Sequence, residues 1–134
     1  MKEIPIGLTG QAEMMVTEDK TAQAIGSGTL PVFATPMMLS LIEQSAWQSV
    51  SPYLEEGHST VGTLLQVSHD SATPVGMNVT AKTKVTQVNG RKITFSAEVY
   101  DDTGLIGKGI HERFIVSDEK FTAKAYSKKA ESHN

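Results

Sequence analysis

The residues most able to do chemistry in this sequence are a glutamate on a helix and a histidine on the strand that follows, Glu43 and His69. The segment from Thr35 to Val50 has the composition and spacing of a helix. On a 3.6-residue period Glu43 has Leu39 one turn before it, Ala46 and Trp47 one turn after it, and Val50 beyond. A carboxylate among such neighbours loses water, and a buried ionised carboxylate is costly unless it is paired or used. His69 falls on the apolar face of the next element. An acid and an imidazole on facing apolar surfaces point to acid–base chemistry in an enclosed site.

The elements that must position this pair are legible from punctuation and period. Residues Gln11 to Val16 read as a first strand, followed by a polar stretch through Gly26-Ser27-Gly28. Thr35 before Pro36 reads as a helix start, with Thr able to cap free N–H groups and Pro suited to the first helical position. Pro52 marks the stop. The helix is apolar most of the way round, with Ser40, Gln44 and Gln48 as its polar stripe, so it is expected to be wrapped.

The period then changes to two. Val61, Thr63, Leu65, Val67 and His69 alternate to one face; Met77, Val79, Ala81, Thr83 and Val85 follow, and Asn89-Gly90 signals a hairpin. Ile93, Phe95, Ala97 and Val99 form the next set. The last long strand runs from about Leu105 to Val116, with Gly107, Gly109, His111 and Arg113 on a small or polar face. Four long antiparallel strands after one buried helix imply an α+β fold, a sheet curled around the helix. Lys120 to Tyr126 reads as an extra short strand. Residues 1–126 are expected to form one domain, with 127–134 a polar, frayed tail.

Bulk properties narrow the function. The chain has 134 residues and a net charge of −3, with its basic residues scattered, so nucleic acid is not an expected partner. There is no cysteine, which excludes a thiolate zinc site and a cysteine nucleophile and fits a reducing compartment. His58, His69, His111 and His133 are spread apart, and no metal site is expected. The first ten residues lack a signal-peptide core, and no apolar run approaches the roughly 18 residues of a spanning helix. A cytoplasmic protein with no membrane partner is expected.

The order of strand, long loop, buried helix and strand meander, with particular residues along it, resembles the fluoroacetyl-CoA thioesterase group of hot-dog proteins. The resemblance covers about Gln11 to Val116. It is carried by Ala34-Thr35-Pro36-Met37-Met38, Glu43, Thr60-Val61-Gly62-Thr63, Val67-Ser68-His69, Thr73-Pro74-Val75-Gly76 and His111-Glu112-Arg113-Phe114. It implies an acyl-CoA thioesterase without a cofactor, with Thr35, Glu43 and His69 at the catalytic positions. It further implies that Gly62 and Arg113 contact the substrate. It also implies a homodimer, or a tetramer built from it, with the thioester in a cleft between subunits. The fluoroacetyl-specific enzyme closes its acyl pocket with aromatic residues before the helix. Here residues 26–32 contain none, and only Phe33, at the helix entrance, is placed to face the acyl group. A short acyl chain is expected; selectivity for a fluorinated one does not carry over.

Thr35 at a helix start offers a hydroxyl beside N–H groups and the positive end of the dipole. Glu43 lies eight residues on, roughly 12 Å of axial rise, so the two are not direct neighbours. Two mechanisms stay open: Thr35 as nucleophile with His69 as base and Glu43 as orienter, or water activated by Glu43 or His69 with Thr35 positioning the thioester. Thr35 as a plain helix cap, Glu43 paired with Lys82 or Lys84, and Arg113 paired with Glu98 or Glu112 are the structural alternatives. His111 is expected to be structural, and Trp47 to pack in the core or line the acyl cavity. Two other functions compete: an acyl-CoA-binding module without turnover, and a hot-dog hydratase or dehydratase. The second is disfavoured because no histidine precedes His58.

Overall fold

A computed structural model describes residues 2–132. Five strands, β1 (Thr9–Met15), β2 (His58–His69), β3 (Asn78–Asn89), β4 (Lys92–Asp101) and β5 (Gly104–Ser117), form one antiparallel sheet in the order β1-β3-β4-β5-β2. A short helix, α1 (Ala22–Ile25), precedes the long α2 (Thr35–Val50), and α3 (Asp118–Ser132) closes the chain. The sheet curls against α2, as the alternating strands after one apolar helix imply.

The alternation on β3 and β4 sets the core. Val79, Ala81, Thr83 and Val85 on β3 and Ile93, Phe95, Ala97 and Val99 on β4 are all buried. They pack against Met38, Leu41, Ile42, Ala46 and Val50 of α2. Each fully buried Leu, Ile or Phe among them contributes about 1.5–3 kcal/mol. Inside this layer Ser45 meets Thr83 hydroxyl to hydroxyl at 2.8 Å, which satisfies both buried groups. At Gly10 the backbone of β1 lies directly against α2, where a Cβ would come within 2.8 Å of Ser49 Cβ. The β3–β4 hairpin closes with Asn89 paired to Lys92, and Gly90 takes the positive φ of +63° that the tight loop requires.

The sheet covers only one face of α2. Ser40, Gln44, Trp47 and Gln48 are exposed, and Glu43 is half-buried. Trp47, expected in the core or an acyl cavity, keeps 44% of its surface in water. Its position one turn past Glu43 puts it on the open side of the helix. β2 is an edge strand, hydrogen-bonded to β5 on one side only. Among the described residues no helix is long and apolar enough to cross a membrane.

The segment Lys120 to Tyr126, read as a short strand, lies inside α3. Asp118 and Glu119 in the first turn and Lys129 in the last suit the helix dipole, and alanines and lysines favour helix between them. The expected frayed tail falls on the last turns of this helix up to Ser132, and on His133 and Asn134, which lie outside the described residues.

Candidate active site

Thr35 is the first residue of α2, and Ala34 rather than Thr35 is the N-cap. Thr35 therefore does not cap the helix. Its Oγ1 lies 2.7 Å from Nδ1 of His69, at the far end of β2. A hydroxyl and an imidazole at that distance form a nucleophile–base pair in the geometric sense. The His69 ring meets Phe33 edge-on, with centroids 6.4 Å apart. Phe33 is 2% exposed, so it walls the pair more than it offers a face to solvent. Thr35, His69, Phe33, Val32 and Ser71 border a cleft of about 240 Å³.

His69 reaches this place because β2 changes phase. Thr60 pairs with Ile115 and Gly62 with Arg113, and both turn toward α2; the register then slips between Gly62 and Leu64. Beyond the slip, Leu65, Val67 and His69 take the inward face. The bulge adds one residue, so an even-numbered and an odd-numbered set share one side of the strand. Val61 and Thr63, expected on the same face as His69, fall out of the inward set for this reason.

Two turns along α2, Glu43 sits in a second cluster. Its Oε2 accepts from Arg113 Nη1 at 3.2 Å. Glu43 keeps 39% of its side chain exposed, so it is less dehydrated than its helical neighbours suggested. Its partner is neither Lys82 nor Lys84: Lys82 stands over the Tyr100 ring, 5.3 Å from its centroid. Arg113 pairs with neither Glu98 nor Glu112, and Glu112 instead meets Lys92 at 3.2 Å. The Arg113 side chain is only 7% exposed. Its Nε donates to Thr60 Oγ1 at 2.8 Å and its Nη2 to the Thr60 carbonyl at 2.9 Å. Thr60 was visible in the sequence only as part of a motif; its place beside Arg113, two residues before the Gly62 that Arg113 pairs with, follows from the strand phase.

Gly62 faces this cluster. A Cβ there would overlap Glu43 Oε2 and approach Arg113 Nη1 and His111 Cε1 at 3.4 Å each. Since the overlapped atom ends a flexible side chain, Gly62→Ala should fold while pushing the carboxylate off Arg113, at a cost of no more than the about 1–2 kcal/mol expected for loss of this half-exposed pair. A turnover loss of about ten-fold or more, in a variant that still folds, is the expected result of assaying it beside a melting curve.

Burial lowers the pKa of His69; the charge of Asp70 and the Ser71 backbone oppose it in part. His69 Nε2 is buried and has no hydrogen-bond partner among the described residues. In a Thr–His–Glu triad that nitrogen would donate to the carboxylate. Within one chain Glu43 is held by Arg113 instead, so the orienting link of the triad is not made. Burial also lowers the pKa of Arg113, with Glu43 opposing. Among the described residues no three His, Asp or Glu side chains gather as a metal site. A hollow of about 730 Å³ lies over the outer side of β2, β4 and β5 and holds neither cluster.

A family model described as fluoroacetyl-CoA-specific thioesterase matches residues 16–119. The fluoroacetyl-CoA thioesterase of Streptantibioticus cattleyicolor is 39% identical over 97 residues, which is 72% of this chain and 70% of that protein. A solved variant of the fluoroacetyl-CoA-specific thioesterase, in complex with fluoroacetate and CoA, superposes with a TM-score of 0.84 at 31% identity, covering 88% of this chain and 99% of that one. A thioesterase superfamily member from Thermus thermophilus gives a TM-score of 0.91 at 28% identity, over 99% of this chain and 98% of the other.

Proposed function

This chain belongs to the fluoroacetyl-CoA-specific thioesterase family and is an acyl-CoA thioester hydrolase; from that premise we propose that Thr35, His69 and Glu43 carry the reaction on a short acyl group. The observation that carries the assignment of roles is the 2.7 Å contact between Thr35 Oγ1 and His69 Nδ1.

Thr35 is the nucleophile. Its O–H donates to His69 Nδ1, which takes the proton as Oγ1 adds to the thioester carbon. The C–S bond then breaks, the imidazolium returns the proton to the departing CoA sulfur, and the acyl group remains as an ester on Thr35. Glu43 takes a proton from the water that adds to this ester; the C–Oγ1 bond then breaks and that proton passes to Oγ1, which releases the acid and restores the Thr35 hydroxyl and the Glu43 carboxylate. The positive end of the α2 dipole lies beside the oxyanion, while Pro36 has no N–H and those of Met37 and Met38 are bonded to the Ala34 carbonyl. Phe33, buried against His69, limits the depth available to the acyl chain. Leu30, in the non-aromatic loop before it, is 63% exposed, so a fluoroacetyl-selective closure is not part of the proposal.

Within one chain Glu43 stands about two helical turns from Thr35, roughly 12 Å along the axis. A homodimer brings the groups together if a second copy contributes its own Glu43 to the Thr35–His69 pair. Two features support that assembly: the unpaired outer edge of β2, and the uncovered face of α2 bearing Glu43 and Trp47. The dimer is placed in the cytoplasm as part of this proposal, and no resident cofactor enters the scheme.

The test is a free-thiol release assay over acetyl, fluoroacetyl, branched, medium-chain and aromatic CoA esters. Multiple turnovers confined to the short esters are expected. CoA esters that bind without being consumed would leave a binding module and overturn the enzyme reading.

A further inference from the structure

The geometry points to His111 as a positioning residue that acts through Arg113 to fix the carboxylate of Glu43. This rests on the role given to Glu43 above and adds a residue to it.

His111 is fully buried, on the inward face of β5 two residues before Arg113. Its surroundings decide its tautomer. Nδ1 lies 2.8 Å from the carbonyl oxygen of Leu64, which can only accept, so Nδ1 carries the hydrogen. Nε2 is then a bare acceptor, and it faces Arg113 Nη1 at 3.2 Å. The same Nη1 has one hydrogen for His111 and one for Glu43 Oε2. Thr60 holds Nε and Nη2 from the other side. Four of the five N–H bonds of the guanidinium are thus committed inside the protein.

A guanidinium held this way has little left to offer a phosphate or a pantetheine amide. It faces Glu43 in one fixed orientation, and that orientation is set by His111 on one flank and Thr60 on the other. Only a neutral imidazole serves, because a protonated ring would present N–H to N–H. Burial holds the His111 pKa down, which keeps it neutral; the Leu64 bond opposes this, while the Arg113 charge reinforces it. The ring also stacks on Phe95 with centroids 5.8 Å apart and 26° between planes. Phe95 lies in the core beneath the site. The chain Leu64–His111–Arg113–Glu43 runs from a backbone carbonyl at the bulge of β2 to the carboxylate on α2.

Two amides of different length separate this role from plain packing. His111→Gln places a carbonyl oxygen within reach of Arg113 Nη1 and gives up the Leu64 bond. His111→Asn keeps an N–H toward Leu64 and falls short of Arg113. Both lose the ring on Phe95, so a purely structural role lowers stability and activity alike in the two variants. The inference expects kcat of His111→Gln within about three-fold of the wild type and His111→Asn about ten-fold lower or worse, with KM little changed in either. Equal kcat values, or a better His111→Asn, overturn it. Thr60→Val, which loosens the same guanidinium without changing side-chain volume, must lower kcat in the same direction. A Thr60→Val enzyme with wild-type kcat overturns the inference even where the His111 variants do not accumulate. Glu43→Gln assayed in parallel separates the two levels. Full turnover in that variant removes the role of Glu43 itself, whereas a dead Glu43→Gln beside matched His111 variants removes only the role of His111.

Discussion

Glu43→Gln should lower kcat by about three orders of magnitude, the range in which a well-placed general base operates. The substitution is nearly isosteric. An amide oxygen at the Oε2 position still accepts from Arg113 Nη1, so the side chain keeps its place while losing its basicity. Stability should fall too, because the guanidinium of Arg113, 7% exposed, is left without a counter-charge. Breaking a fully buried ion pair costs about 3–5 kcal/mol. Glu43 keeps 39% exposure, so solvent screens the pair and about 1–2 kcal/mol is the expected loss. Thiol release and urea unfolding on the same preparation test both parts. A kcat within a few-fold of wild type would remove Glu43 from the chemistry, whatever happens to stability.

The second large effect is at Thr35. Thr35→Ser keeps a hydroxyl near His69 Nδ1 and should retain activity within about ten-fold. Thr35→Val keeps the shape and removes the nucleophile, and a loss of about 10³ in kcat is expected. A burst of CoA release ahead of steady state is the signature of the acyl ester on Thr35. If Thr35→Val keeps wild-type turnover, attack is by water and Thr35 only orients the thioester. The pH profile belongs to the same pair. The pKa of His69 is lowered by burial, so the free base persists below the ordinary imidazole value of about 6.5. Activity should therefore hold through neutral pH and fall only on an acid limb lying below that value. The sign for stability follows. A depressed folded-state pKa contributes stability that is present above the unfolded value and lost as pH falls through the folded one.

Local patterns in the sequence went far toward the fold, because period and punctuation are local. The inward sets on β3 and β4, the end of α2 before Pro52 and the small face of β5 follow from spacing of two or 3.6 residues. Glu43 and His69 stand out from their neighbours alone, but Thr35, Gly62 and Arg113 gained their roles only with a family resemblance beside them. What stayed hidden was pairing between distant elements. Thr35 to His69 spans 34 residues and Arg113 to Glu43 spans 70, and no local rule selects Arg113 over Lys82 as the partner of Glu43. Thr35 before Pro36 carries the signature of a cap, and its release from that duty appears only when His69 is in place. The helical signal of α3 was present in Asp118, Glu119 and the alanine and lysine positions, although Lys120 to Tyr126 reads as a short strand.

The slip in β2 between Gly62 and Leu64 makes that strand sensitive to length in a way its composition does not reveal. Side chains along it can be exchanged one at a time with local consequences. Removing or inserting one residue near Thr63 would instead invert everything downstream, sending Leu65, Val67 and His69 outward and bringing Gln66 and Ser68 against the helix. The Gly62 end and the Thr35 end of the chemistry are kept in step by one extra residue. Outside Thr60, Gly62 and His69, this part of the chain should tolerate a change of residue more readily than a change of length.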